Sequence, residues 1–131
     1  MSELAILCID DEVIILNSLL RQLQAAFSDR YVYETSESAE EALEIIEELQ
    51  VEGSQIIVIV SDWLMPGMKG DEFLVAVQNK FPQVVKILLT GQADAEAIER
   101  AKTEGHIHAY LNKPWSEAEL IKCIKSGLEQ L

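Results

Sequence analysis

No stretch of this chain is long and apolar enough to span a bilayer, which takes about 20 such residues. The N-terminus also lacks a basic region followed by a long apolar one, so no secretory leader is read there. The expectation is a soluble, cytoplasmic protein with no membrane partner. Cysteine is scarce. Cys8 lies in an apolar strand-like run and Cys123 in a helix-like one, and both read as packing residues in a reducing compartment. Basic residues are few as well: 10 Lys and Arg stand against 23 Asp and Glu, a net charge of −13. That balance argues against direct nucleic-acid binding, which needs a basic footprint. It leaves room for a metal cation or for a partner with a basic face. Low-complexity linkers and tandem repeats are missing, so residues 1–131 read as one domain, either complete or the N-terminal module of a longer protein.

What is there is an apolar content of 49%, enough for a globular fold with one sizeable core. The organising stretch is Ile56-Ile57-Val58-Ile59-Val60, ended by Ser61-Asp62-Trp63 and the turn Leu64-Met65-Pro66-Gly67. Five β-branched residues in so short a run read as a buried strand. Four further strands are read at Leu4–Ile9, Tyr31–Thr35, Val84–Leu89 and His108–Leu111. The second of the five is more polar and belongs at an edge.

Helical patterns separate the strands. Leu16, Leu19, Leu20, Leu23 and Phe27 share one helix face. Ser38 and Glu41 form a capping box for a helix that turns Ala39, Ala42, Leu43, Ile46 and Leu49 inward. Its Glu40, Glu41, Glu44, Glu47 and Glu48 read as a solvated face. Phe73, Leu74 and Val77 mark a third helix over Gly70–Lys80, stopped by Pro82. A short fourth carries Ala93, Ala97, Ile98 and Ala101, with Gly105 as its C-cap. Ser116 and Glu119 cap a last helix carrying Leu120, Ile121, Ile124, Leu128 and Leu131. The βα unit repeated five times predicts an α/β, doubly wound, five-stranded parallel sheet covered on both faces.

In the strand order 2-1-3-4-5, the winding reverses between strands 1 and 3, and the ligand crevice falls at their C-terminal tips. That edge collects Asp10 and Asp11 after strand 1, Asp62 after strand 3, Thr90 after strand 4 and Lys113 after strand 5. Two like charges about 4 Å apart repel by roughly 4 kcal/mol at an effective dielectric of about 20. Either one carboxylate protonates or a cation joins them. A hard divalent ion fits the oxygen ligands, and Mg²⁺ fits best if phosphate oxygens complete its shell. An ammonium and a hydroxyl on the opposite side suit a transferred phosphoryl group. Asp62 is then the nucleophile, because a carboxylate forms an aspartyl phosphate without a separate base.

Four segments carry a resemblance across nearly the whole chain: Ile9-Asp10-Asp11-Glu12, Ser61-Asp62 with Met65-Pro66-Gly67, Leu89-Thr90-Gly91, and Tyr110-Leu111-Asn112-Lys113-Pro114-Trp115. In this order and spacing the chain resembles the receiver domain of two-component response regulators. The resemblance implies a CheY-like, flavodoxin-like (βα)5 fold and transfer of a phosphoryl group from a sensor histidine kinase to Asp62. It implies that Asp11, Asp62 and the backbone carbonyl of Leu64 bind Mg²⁺ directly while Asp10 acts largely through water. Thr90 and Lys113 would contact the phosphoryl group, and the Lys113-Pro114 peptide would be cis. Tyr110, a strand residue expected to be partly buried, would move inward as Thr90 moves toward the phosphate. The face built from the fourth helix, fifth strand and fifth helix would then signal to a downstream effector domain or protein, or pair in a homodimer. Such a domain is not an enzyme beyond its own phosphorylation and dephosphorylation. Leu64 and Gln92 occupy the positions that tune phosphoryl lifetime, and Leu64 offers no group to orient a water.

The remaining conspicuous residues read as structural. Trp63, Met65 and Met68 are loop packing or partner contacts, Trp115 packs at the start of the last helix, and His106 and His108 are surface or edge residues. A small aspartate-nucleophile phosphohydrolase of the haloacid dehalogenase type is the alternative. That family needs a second acid two residues after a nucleophile on strand 1, which Asp10-Asp11-Glu12-Val13 matches poorly. A flavin-binding flavodoxin-like protein would need Ser, Thr or Gly in the first loop to cradle a phosphate, and these are missing.

Overall fold

A computed structural model describes residues 3–91 and 95–131. Five strands run parallel: β1 (Leu4–Ile9), β2 (Val32–Ser36), β3 (Gln55–Asp62), β4 (Val85–Thr90) and β5 (Ala109–Asn112). Their order is β2-β1-β3-β4-β5, as predicted. Five helices alternate with them: α1 (Val13–Phe27), α2 (Ala39–Val51), α3 (Gly70–Lys80), α4 (Ala95–Thr103) and α5 (Glu117–Glu129). A 3-10 turn at Ser28–Arg30 follows α1.

Two apolar layers sandwich the sheet. On one face Ala42 and Ile46 of α2, Phe73 and Val77 of α3, and Ala97 and Ala101 of α4 pack on Leu7, Ile59 and Leu88. On the other, Leu19 and Leu23 of α1 and Leu120 and Ile124 of α5 pack on Cys8, Val60 and Ile87. Residues alternate between the layers along the strands because side chains on a strand point to opposite faces, except at the register shift between β1 and β3, where Ile57 and Val58 enter the same layer. The central strands are therefore apolar throughout, and the C-terminal tip is where polar groups can gather.

The serine half of each capping box forms, while the Glu41 carboxylate accepts from the Glu37 N–H at 3.3 Å rather than from that of Ser38. Ser38 Oγ accepts from the Glu41 N–H at 3.1 Å and Ser116 Oγ from the Glu119 N–H at 3.3 Å. The α2 glutamates are exposed. Cys8 is buried, and burial pushes its thiol up to about 12, as expected of an inert packing residue. Cys123 is half-buried and free. Among the described residues no helix is long and apolar enough to cross a membrane.

Two details differ from the sequence reading. Helix α4 closes on His106, whose φ is +50°, rather than on Gly105. The Ile107 N–H then reaches back across the turn to the Ala101 carbonyl at 3.2 Å. Gly105 is needed for space instead, since a Cβ there would lie 2.7 Å from the Ala101 oxygen. Leu131 lies beyond α5 and is exposed, because the helix ends at Glu129. Lys86, within an apolar run, is buried and donates to the Val84 carbonyl at 2.8 Å. Ala93, predicted in the fourth helix, lies outside the described residues.

Candidate functional site

The C-terminal ends of β1, β3, β4 and β5 meet at one cavity of about 460 Å³, lined among others by Asp11, Asp62, Leu64, Thr90 and Lys113. A larger cavity of about 720 Å³ lies elsewhere, between the ends of α2 and α3, and is lined by Ile46, Gln50, Gln55 and Phe81. It lacks a cluster of carboxylates, so the chemistry belongs to the smaller one.

Asp10, Asp11 and Asp62 each bring one carboxylate oxygen to within 4.8 Å of the others. Asp10 and Asp62 are buried and Asp11 is exposed. Asp10 is held on three sides. Its backbone N–H donates to the Ser36 carbonyl at 3.1 Å, its Oδ1 accepts from the Glu12 N–H at 2.8 Å, and its Oδ2 accepts from Lys113 Nζ at 2.8 Å. The N-cap of α1 is Glu12, with no side-chain cap, so Asp11 does not serve as a helix cap.

Lys113 is aimed into the crevice from the loop after β5. Its backbone N–H donates to the Thr90 carbonyl at 3.0 Å, and the following peptide to Pro114 is cis. Besides Asp10, its amine contacts Asp62 Oδ1 at 2.9 Å. Burial works to lower the pKa of this amine, but the hydrogen bonds to Asp10 and Asp62 outweigh burial and leave it above the ordinary lysine value. Asp62 is shifted upward. Burial is the main cause and the charges of Asp10 and Asp11 add to it, while the Lys113 hydrogen bond opposes them.

Thr90, at the tip of β4, is 3% exposed and lines the cavity. Tyr110 is 39% exposed, with Lys102 Nζ 5.1 Å from its ring centroid, so it faces outward rather than being partly buried. Leu64 is half exposed at the cavity rim. Gln92 lies outside the described residues.

Among the described residues this is the one acidic group placed to hold a metal. Three carboxylates with a single amine between them leave the crevice net negative. Their donor set is all oxygen, which suits Mg²⁺ and not a thiolate- or imidazole-seeking metal.

The loop residues behind the cavity pack rather than project. Met65 is buried, and Trp63 Nε1 donates to Asp71 Oδ1 at 2.9 Å. Trp115 Nε1 donates to Gln22 Oε1 at 2.8 Å and fixes the start of α5 on α1. Asp71 was not singled out by the sequence. An acid in the first turn of a helix ordinarily complements the helix dipole in solvent, and nothing in its spacing distinguishes it.

A model of the response regulator receiver domain matches residues 6–125. The hydrogenase transcriptional regulatory protein HoxA of Cupriavidus necator is 34% identical over 124 residues, covering 95% of this chain and 24% of that protein. The chain thus spans about a quarter of the length of that curated relative. Among solved structures, a CheY-like receiver domain protein from Methanospirillum hungatei superposes with a TM-score of 0.83 at 29% identity, covering 98% of this chain and 96% of that one. The signal receiver domain of an HD domain-containing protein from Pseudomonas fluorescens superposes at 0.82 and 29%, covering 99% and 90%.

Proposed function

The chain belongs to the response regulator receiver domain family, and from that premise we propose that it takes a phosphoryl group onto Asp62 from a phosphohistidine of a sensor kinase. The observation that carries this reading is the convergence of Asp10, Asp11 and Asp62 with Lys113 and Thr90 on one cavity. A carboxylate oxygen of Asp62 forms the new bond to phosphorus as the phosphorus–nitrogen bond breaks and the imidazole recovers a proton. Lys113 orients Asp62 beforehand and afterwards neutralises the added phosphoryl charge. Thr90 is the hydroxyl within reach of the phosphoryl oxygens. Asp11, Asp62 and the Leu64 carbonyl would hold Mg²⁺, with Asp10 supporting from behind. The ion would supply charge neutralisation for the transferred group.

Receiver domains act as signalling modules rather than as catalysts, and the output here is a shape change. Phosphorylation adds roughly 1.5 to 2 negative charges and several acceptor oxygens. Thr90 closes on them, Tyr110 leaves its exposed position, and the α4-β5-α5 face is altered for an effector domain, an effector protein or a second copy of the chain. Self-hydrolysis of the phosphoryl group is slow, because Leu64 carries no polar group to orient water. The reading treats residues 1–131 as one receiver module working in the cytoplasm.

Asp62→Asn should abolish labelling by radioactive acetyl phosphate with Mg²⁺. Undiminished labelling would remove Asp62 as the acceptor. Sustained multiple turnover on phosphomonoesters would favour a phosphohydrolase instead.

A further inference from the structure

The side chain of Asp71 is 2% exposed. A carboxylate withdrawn from water is costly unless it is paired. Its two oxygens take two partners from different parts of the fold. Oδ1 accepts from Trp63 Nε1 at 2.9 Å, and Oδ2 accepts from Arg100 Nη1 of α4 at 2.5 Å. Trp63 is the residue next to Asp62. Its N–H donates to the Leu89 carbonyl at 2.9 Å and its carbonyl accepts from the Gly70 N–H at 2.8 Å. A Cβ on Gly70 would lie 2.2 Å from the Asp62 oxygen. The first turn of α3 therefore presses directly on the backbone of Asp62 and Trp63.

Helix α4 is held lightly by comparison. Its buried residues are Ala97 and Ala101, two methyl groups' worth of apolar anchor over nine residues. Arg100 adds a charged tether on the α3 side, where the low-dielectric surroundings of Asp71 strengthen it.

We infer that Asp71 is a positioning residue that ties α4 to the phosphoacceptor segment. A change at Asp62 reaches α4 through Trp63, Asp71 and Arg100, along a route separate from Thr90 and Tyr110. The direction of this signal rests on the assignment of Asp62 as phosphoacceptor, whereas the tether itself is present without any phosphoryl group.

Hydrogen exchange of residues 95–103 in the 131-residue protein, with and without beryllofluoride and Mg²⁺, reads both parts. Asp71→Asn keeps an acceptor for Trp63 but removes the charge that holds Arg100. Arg100→Gln alters a side chain that is 43% exposed, against 2% for Asp71, and keeps the test valid if the Asp71 variant fails to fold. Each variant should speed α4 exchange by about fivefold or more in the unmodified protein, and the double variant by no more than either alone. Arg100→Lys should recover part of the protection. The beryllofluoride-induced change in α4 should fall to less than about half, with acetyl phosphate labelling within about twofold of wild type. Unchanged α4 exchange in the single variants, or fully additive effects in the double, would overturn the tether. An undiminished α4 response to beryllofluoride in both variants would overturn the route. A wild-type protein that fails to label would sink the phosphoacceptor assignment alone, since loosening of α4 in the variants would still support the tether.

Discussion

The Lys113 amine lies 2.9 Å from Asp62 Oδ1 and bonds Asp10 Oδ2 at 2.8 Å. One cation from the loop after β5 thus joins carboxylates from the tips of β1 and β3. It satisfies two buried acids and leaves Asp11 and the remaining negative charge directed at the cavity. The amine therefore holds two of the three carboxylates together on its own.

Lys113→Ala should destabilise the protein by about 2–3 kcal/mol near neutral pH, because two buried carboxylates lose their partner. Mg²⁺ should recover part of this loss, and urea unfolding with and without the ion measures both effects. The amine's pKa is raised above the ordinary 10.5. Its contribution is therefore fully present below that value and is lost as pH rises through the higher folded value. On the alkaline side the gap between wild type and variant should narrow through that range. Labelling of Asp62 should persist at a reduced level but no longer change α4.

Asp62 is shifted in the same direction as Lys113 but titrates in the acid range, so at neutral pH its shift costs stability. Its folded pKa is raised above 3.8, so the folded state binds more protons than the unfolded state between the two values. Stability falls as pH rises through that window and stays lower above it. Asp62→Asn should accordingly be more stable than wild type at neutral pH without Mg²⁺, by roughly 1 kcal/mol. The difference should shrink as pH drops through that window and be gone below 3.8. Equal stability at pH 7 would contradict the upward shift. Asp10→Asn, which removes a neighbouring like charge, should bring the Asp62 pKa down in a carboxyl-carbon NMR titration.

Lys86 offers a test away from the cup. Burial lowers its amine to about 8 from the usual 10.5. The unfolded chain therefore binds more protons between those values, and stability rises with pH across them. Below pH 8 the fold carries the whole cost of a buried ammonium. Lys86→Met should stabilise the protein by about 1–2 kcal/mol at pH 7, and the gain should fade as pH rises from about 8 to 10.5. A thermal melt series across pH reads the difference.

Gly70→Ala places a methyl group 2.2 Å from the Asp62 carbonyl oxygen and 2.8 Å from Trp63 Cα. Both neighbours are backbone, so relief requires moving the phosphoacceptor segment. A loss of about 2 kcal/mol or more in stability is expected. Labelling by acetyl phosphate should drop with it, and a wild-type labelling rate in a fully folded variant would contradict the close approach.

Much of the fold was legible along the chain. The apolar runs ending at Ile9, Val60 and Leu89, and the helix faces led by Leu19, Ile46 and Ile124, carry their period locally. Boundaries moved by a residue or two where caps decided them, as at His106, whose left-handed conformation the helix periodicity does not announce. Tyr110 is 39% exposed with Lys102 of α4 over its ring, and strand periodicity cannot report what lies opposite a strand residue.

What the amino-acid order determined by itself was the βα alternation and the placing of acids, a hydroxyl and a lysine at strand tips, because periodicity and turn chemistry act between near neighbours. Only the tertiary structure decided that Lys113 lies between Asp10 and Asp62, that Asp71 clasps both Trp63 and Arg100, and that Lys86 lies under the sheet's helical cover. Those distances join residues far apart in the chain. They are set by the order and register of the strands and by how helices close over them, which no local pattern encodes.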